Sequence, residues 1–490
     1  MRILLASYWF LLHAAGGAYS SINILKKELE EHGHQVDVLS SQSNMQKINI
    51  IGYERKNEYV WGLGGKEVNK QIIKDVVYEE VYDYYTEHLP HVEPSIRWRE
   101  IERYSFELAV SLFDLNKYDI IHAHDIVAAR ALRRVKPSHI PLVYTCHDVV
   151  ARTQETSGEI TGRKSDRWKY AIAEQQCAVE SSDASIVPSK RQLLELMRHC
   201  GVSGETFHVV PYGMELAPFI KQLQYEPYPP VYKDPEKLVI ACVARLVPEK
   251  GHKTLIDALH ILKGIHSGFV CWFIGDGWFW GELDQYARTK GVADHIVFLG
   301  NRWDVPHLLN KIDMMVMPSI NGNLSFAIME AQFAGVPVIV SDGGANTEMV
   351  QHGETGIVFQ RRNASQLATK LLMLMSDPQL RRELGEKAKI WGEKMWSTGS
   401  LYERTMTVYK QALESAKPER PMTADTDLAV RYGLTEQTGL QKQCPSTMFA
   451  FHVDRNLDSE LWKSIAERLP PSYSIPDIPF IKALAEDKEN

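Results

Sequence analysis

A chain of 490 residues is too long for one small core and predicts two to four domains at roughly 100–200 residues each. With 44% hydrophobic and 24% charged residues it has a globular composition, which excludes a disordered or fibrous chain. The formal net charge of −7 leaves no basic footprint for nucleic acid, which drops out as a partner class.

The chain opens with Arg2 and an apolar run, Ile3 to Leu12, followed by Ala14, Ala15 and Gly16, an outline shared with signal peptides. The next thirty residues assign the run to a strand instead. Ala18, Ile22, Leu25 and Leu29 recur at helical spacing, Gly33 closes that helix, and 35–39 alternates like a second strand. Further apolar strands are expected at 119–125, 141–148, 184–189 and 207–213, then at 238–243, 270–277, 295–300, 314–319, 336–344 and 356–359. Nearly continuous apolar strands alternating with amphipathic helices mark parallel sheets covered on both faces. The two series therefore predict an α/β protein with two Rossmann-like doubly wound parallel-sheet domains, at 1–212 and 237–395.

Residues 213–236 are rich in Pro and Tyr, lack apolar periodicity and read as the linker. Segment 45–118 exceeds a plain βα unit, and its aromatic stretch 78–98 reads as an insertion covering a hydrophobic flank, with part of an acceptor pocket as the alternative. The extension 417–490 has no βαβ pattern and no functional reading. It holds one convincing helix over 457–469, with Leu457, Leu461, Ile465 and Leu469 four apart. No run approaches the roughly 20 apolar residues that span a bilayer. Six cysteines without a C-x-x-C pair or zinc-ligand spacing predict reduced thiols in a cytoplasmic protein without a metal site.

Ligands of open parallel sheets bind beyond the carboxyl ends of the strands. The turn at 13–20 places Gly16 and Gly17 before a helix, where main-chain amides can approach an anion, although a tight strand-to-helix turn would use the same residues. The loop RLVPEKG at 245–251 sets Arg245 and Lys250 between a strand end and a helix start, a natural clamp for a diphosphate. The basic run Arg130, Arg133, Arg134 and Lys136 is a candidate for peripheral contact with anionic lipid at the inner membrane face, against the plainer reading of a solvated helix face.

Those loops belong to an ordered set: GGAYS at 16–20, HAHD at 122–125, TCHD at 145–148, RLVPEKG at 245–251, IGDG at 274–277, FLGNRWDVPHLL at 298–309, and the long segment 317–344. The set resembles the family-four retaining glycosyltransferases of the GT-B fold, in the correct order from about residue 1 to 415. The resemblance implies two domains facing each other across a cleft, with 396–415 crossing back as a helix onto the first. It implies a nucleotide-sugar donor, UDP- or GDP-linked, held mostly by the second domain. The implied acceptor, a glycan, lipid-linked or small molecule, lies on the first domain. Transfer would proceed with retention at the anomeric carbon and without a metal or other cofactor.

On this resemblance Arg245 and Lys250 stabilise the leaving diphosphate together with the Gly16–Gly17 amides, and Glu330 accepts the ribose hydroxyls. His147 contacts the sugar or its phosphate, with Asp148 orienting it. One departure stands out. Where relatives carry a glutamate before Asn-Leu-Pro-Phe, this chain has Gly322, so Asn321, Asn323 or the backbone through Leu324, Ser325 and Phe326 must hold the donor sugar. Tyr212 replaces the usual asparagine of the 211–215 segment. Gly322 keeps open a second class, a degenerate nucleotide-sugar-binding or scaffold protein. A nicotinamide oxidoreductase is disfavoured because no G-x-G-x-x-G follows a strand with an acidic residue about 20 positions on.

Overall fold

The computed structural model describes residues 1–9, 17–42, 44–51, 67–88, 90, 92–415, 464–465 and 468–469. They form two compact units: Met1–Val187 with Leu193–His208 and Thr405–Asn490, and Pro188–Gln192 with Val209–Arg404.

Unit 1 carries β1 (Arg2–Ala6), β2 (Gln35–Ser41), β3 (Lys47–Ile51), β4 (Glu67–Asn69), β5 (Ile120–Ala123), β6 (Leu142–Thr145), β7 (Ala184–Val187) and β8 (Phe207–Val209). They lie in one sheet in the order β4-β3-β2-β1-β5-β6-β7-β8. Strands β2, β1, β5, β6 and β7 pair in parallel, whereas β3 pairs antiparallel with both β2 and β4. Four of the five residues of β1 are buried, and β5, β6 and β7 are buried throughout, as strands covered on both faces must be. Its helices include α1 (Gly17–Glu31), α2 (Lys70–His88), α3 (Pro94–Ser111), α4 (Ile126–Val135), α5 (Val150–Ser157), α6 (Asp166–Ser181) and most of α7 (Lys190–Cys200).

Unit 2 begins with α8 (Leu216–Leu223) and holds β9 (Leu238–Val243), β10 (Phe269–Ile274), β11 (Ile296–Gly300), β12 (Met314–Met317), β13 (Val338–Ser341) and β14 (Ile357–Phe359). The sheet is parallel, in the order β11-β10-β9-β12-β13-β14. Around it lie α9 (His252–Lys263), α10 (Trp280–Thr289), α11 (Val305–Leu309), α12 (Phe326–Phe333), α13 (Asn346–Met349), α14 (Ala364–Ser376) and α15 (Pro378–Met395). One core packs Ile240, Leu255, Leu259, Phe273 and Leu371 on one face of the sheet; the other packs Val239, Trp272, Met315, Ile328 and Trp396 on the opposite face. Helix α16 (Thr398–Ser415) starts in unit 2 and ends in unit 1.

Three expectations change. The segment 213–236 is not a bare linker: α8 is part of unit 2, where Phe219 is buried against Phe333 with ring centroids 5.9 Å apart. The 45–118 segment contributes β3 and β4, an antiparallel extension of the sheet edge. Arg130 of the basic run on α4 is no lipid-facing cation, because its side chain is fully buried. It bonds Glu100 at 2.9 Å and Glu174 at 3.3 Å, and Arg134 bonds Glu107 at 2.8 Å. Arg103, also fully buried, bonds Glu100 and Glu107 at 2.9 and 2.7 Å. The helix read over 457–469 lies largely outside the described residues; within it Ile465 and Leu469 are buried, and Arg468 donates to the Leu112 carbonyl at 3.0 Å. Among the described residues no helix is long and apolar enough to cross a membrane.

Candidate active site

In unit 2 the chain order reverses at β9, which has β10 on one side and β12 on the other. A switch point of this kind opens a crevice beyond the strand ends, and the loops after β9, β12 and β13 meet there at close range. The Ile320 amide donates to the Glu249 carbonyl at 2.8 Å, and the Ala345 amide to the Gly322 carbonyl at 2.9 Å. Two glycines permit this interlock. Gly251 has φ +73° and a Cβ there would lie 2.0 Å from the Pro318 oxygen; Gly344 has φ +60° and its Cβ would lie 2.1 Å from the Gly322 oxygen.

Arg245 and Lys250 both lie on this platform, close enough for Arg245 to act on the charge of Lys250. The Arg245 side chain is three-quarters exposed and its nearest ionic contact is Glu249 at 3.8 Å. Lys250 is half-buried. Its ammonium makes no hydrogen bond among the described residues, and burial, then Arg245, hold its pKa below the ordinary lysine value. A half-buried cation without a bonded anion among the described residues is able to take an anionic ligand. The first turn of α12 faces the same need: Ser325 occupies the N-cap without a side-chain cap, and its amide meets only the Met349 sulfur at 3.2 Å. Glu330, one turn further on, has no side-chain partner among the described residues, and burial pushes its carboxyl up to about 7. Tyr212, the replacement for asparagine, stacks on Phe326 at 5.6 Å and 13°, bracing the start of α12.

Gly322 sits beside Lys250. A Cβ there would have one neighbour beyond its own chain segment, Lys250 Nζ at 3.5 Å, and Gly322 does not have a positive φ. A glutamate is thus sterically admissible and would place its carboxylate against that ammonium. If Lys250 holds the donor, Gly322→Glu is expected to fold and to lower transfer from the native donor about tenfold or more, because the new carboxylate competes for that cation. Initial rates of wild type and variant check this; a rate that rises instead would mark the wild type as degenerate.

In unit 1 the switch lies between β1 and β5. Asp125 caps α4 by accepting from the Ala128 amide at 2.8 Å, and also accepts from the Ser7 hydroxyl at 2.7 Å and the Tyr8 amide at 2.6 Å, tying the ends of β1 and β5 together. His147, after β6, is the end member of a histidine stack. Its Nε2 lies 3.3 Å from His124 Nδ1, the rings are 5.5 Å apart, and His124 lies against His122 at 4.1 Å with the rings tilted by 33°. His122 in turn bonds the Thr145 hydroxyl at 2.6 Å and the Tyr409 hydroxyl at 2.8 Å. Burial holds all three imidazoles neutral, with His122 lowered to about 3 and His147 to about 4. Asp148 accepts from the Val149 amide at 2.8 Å and from the Thr153 hydroxyl. His122 and His124 carried no role in the sequence reading; the alternation H-x-H at a strand end, putting two imidazoles on one face, was the available signal. Gly17 opens α1, and Gly16 lies outside the described residues.

Residues 15–217 match the family described as Glycosyltransferase Family 4, and residues 229–391 match Glycosyl transferases group 1. A D-inositol 3-phosphate glycosyltransferase of Jonesia denitrificans is 28% identical over 309 residues, 59% of this chain and 72% of that protein. A GDP-mannose-dependent phosphatidylinositol monomannoside mannosyltransferase of Mycobacterium tuberculosis is 31% identical over 35% of this chain and 46% of its own length. Among solved structures, Anabaena HepE in complex with UDP superposes with a TM-score of 0.55 at 18% identity, over 84% of this chain and all of that one. With both halves matched in order and the two-sheet architecture shared, the chain belongs to the group 1 glycosyltransferases and has the GT-B fold.

Proposed function

We propose that the protein transfers a sugar from a UDP- or GDP-linked donor to a carbohydrate or lipid-linked acceptor, with retention at the anomeric carbon and without a metal ion. Unit 2 holds the donor. Lys250 carries the reading: a half-buried ammonium with no hydrogen bond among the described residues suits the diphosphate, while the uncapped start of α12 and the carboxyl of Glu330 offer groups for the sugar and the ribose. Rupture of the glycosyl–phosphate bond builds positive charge on the sugar and negative charge on the leaving diphosphate. Lys250 and Arg245 meet the latter, the task a divalent cation would otherwise perform. Glu330 accepts from the two ribose hydroxyls, and His147 lies at the acceptor end of unit 1. Support for the donor class comes from HepE, solved with UDP and with UDP-glucose, and from the GDP-mannose-dependent relative.

The test is a thermal-shift screen of UDP, GDP and ADP with their sugar conjugates, each in EDTA. A ligand at 100 times its Kd adds about 2.7 kcal/mol, so one base is expected to raise the Tm by several degrees and to support transfer with the chelator present. A protein shifted by none of them, or active only with added magnesium, would refute the proposal.

Glu330 gives a pH signature. Ribose hydroxyls donate to the ionised carboxylate, so donor binding draws its pKa down from about 7. Below that value the carboxyl must first lose a proton, and donor affinity is expected to fall about tenfold from pH 8 to pH 6. UDP-glucose and GDP-mannose carry no group that titrates in that window, so calorimetry reads Glu330 directly. Glu330→Gln should bind weakly and without this pH dependence.

A further inference from the structure

Helices α2 and α3 of unit 1 carry an aromatic strip that the donor chemistry does not use. Lys70, Lys74, Tyr78 and Tyr82 recur every four residues along one face of α2. At its inner end Lys70 is buried and bonds Glu102 at 2.6 Å, and the Tyr8 hydroxyl bonds the same carboxylate at 2.7 Å. Tyr8 follows the carboxyl end of β1 and is tied to Asp125, so the strip starts at the acceptor end of the unit 1 sheet. Further out, Lys74 also bonds Glu102 and lies over the Trp98 ring at 4.9 Å. Trp98 meets Tyr78 at 5.5 Å, Tyr78 stacks on Tyr82 at 5.2 Å and 14°, and Arg97 lies over Tyr82 at 5.7 Å. The strip is buried at its root and exposed at its tip, where Trp98 is 48% and Tyr82 39% accessible.

An exposed pair of aromatic rings continuous with a buried strip is the kind of surface that takes a ligand. Three features select the occupant. Tyr78 and Lys74 hold Trp98 in place, and Trp98, the most exposed ring of the strip, is the one that meets the flat apolar face of a pyranose, since Tyr82 is flanked by Tyr78 and Arg97. Lys74, over the Trp98 ring, and the Glu102 carboxylate it bonds are charged groups beside the ring that sugar hydroxyls can reach. The strip from Lys70 to Tyr82 runs about 18 Å at 1.5 Å per helical residue, the reach of an oligosaccharide. A bilayer is the wrong partner, because the flanking row Asp75, Glu79, Asp83 and Glu87 is acidic and exposed and repels anionic headgroups.

We infer that the Tyr78–Tyr82–Trp98 strip is an extended acceptor subsite that grips the outer sugars of a neutral carbohydrate chain while its end lies at the β1–β5 switch. The inference rests on the transferase reading above and names its acceptor as a glycan. Its test uses the full chain and saturation-transfer NMR with maltohexaose, cellohexaose, chitohexaose and mannohexaose, alongside sedimentation with phosphatidylcholine vesicles containing 30% phosphatidylglycerol. At least one hexasaccharide is expected to receive saturation from wild type. Trp98→Ala should weaken it at least fivefold, Trp98→Phe should restore most of it, and Trp303→Ala, at an exposed tryptophan in unit 2, should leave it unchanged. Thermal shift by the nucleotide donor is read on every variant. Loss of that shift in wild type would sink the transferase reading. An intact shift with no hexasaccharide bound, with binding indifferent to Trp98→Ala, or with Trp98-dependent sedimentation on vesicles would overturn the subsite alone.

Discussion

Lys250→Ala is expected to reduce transfer on the order of 100-fold or more, and Arg245→Ala to do the same to a lesser degree. Removing one group aimed at charge that develops in the transition state commonly costs that much. The two residues differ in how much of that effect each can deliver. Lys250 is half-buried where three loops meet, so its charge acts through less water than that of Arg245, which is largely solvated until a ligand covers it. The loss should therefore appear mainly in kcat for Lys250→Ala and more evenly in kcat and KM for Arg245→Ala. Neither change should unfold the protein, since neither side chain supports the core. Steady-state rates with the donor found by thermal shift decide the matter. Two variants turning over at the wild-type rate would remove the diphosphate clamp from the site.

The fold was legible because its strands are buried on both faces, which writes them as unbroken apolar runs such as ILLA after Arg2 and VIAC in β9. Where burial is one-sided the signal weakens. The β3 strand KINII is mostly half-buried and reads as an irregular insertion, and α8, with Phe219 as its one buried residue, is too short to display a period. Arg245, Lys250 and Glu330 stood out by position at strand and helix ends. The closeness of Gly322 to Lys250 did not, because it comes from β9 and β12 lying side by side. Charge misled for the same reason. Arg130 looks like a surface cation until its countercharges arrive from positions 30 and 44 residues away.

That last arrangement sets the largest stability effect. Glu100 is fully buried; burial alone would raise its pKa, but Arg103 and Arg130 outweigh that and hold it well below the ordinary carboxylate range. It also accepts from the Tyr170 hydroxyl at 2.7 Å, so α3, α4 and α6 converge on one carboxylate. Glu100→Ala leaves two buried guanidinium groups short of a partner, and breaking a buried pair from one side costs about 3–5 kcal/mol. In a unit of this size that is roughly 10 °C of Tm, read by calorimetry as a shift of the unit 1 transition with unit 2 unmoved. Because the folded pKa is depressed, the contribution is complete above the unfolded value near 4.5 and is lost as pH falls below it, so wild type and variant should converge in acid. The exposed pair Lys253–Glu282 offers the contrast, with both side chains about half accessible. Lys253→Ala should cost no more than the roughly 0–1 kcal/mol of surface pairs. A Glu100→Ala protein that melts within a degree of wild type would mean that the guanidinium groups find water or Glu107 and Glu174 instead, and that the network positions the helices without stabilising them.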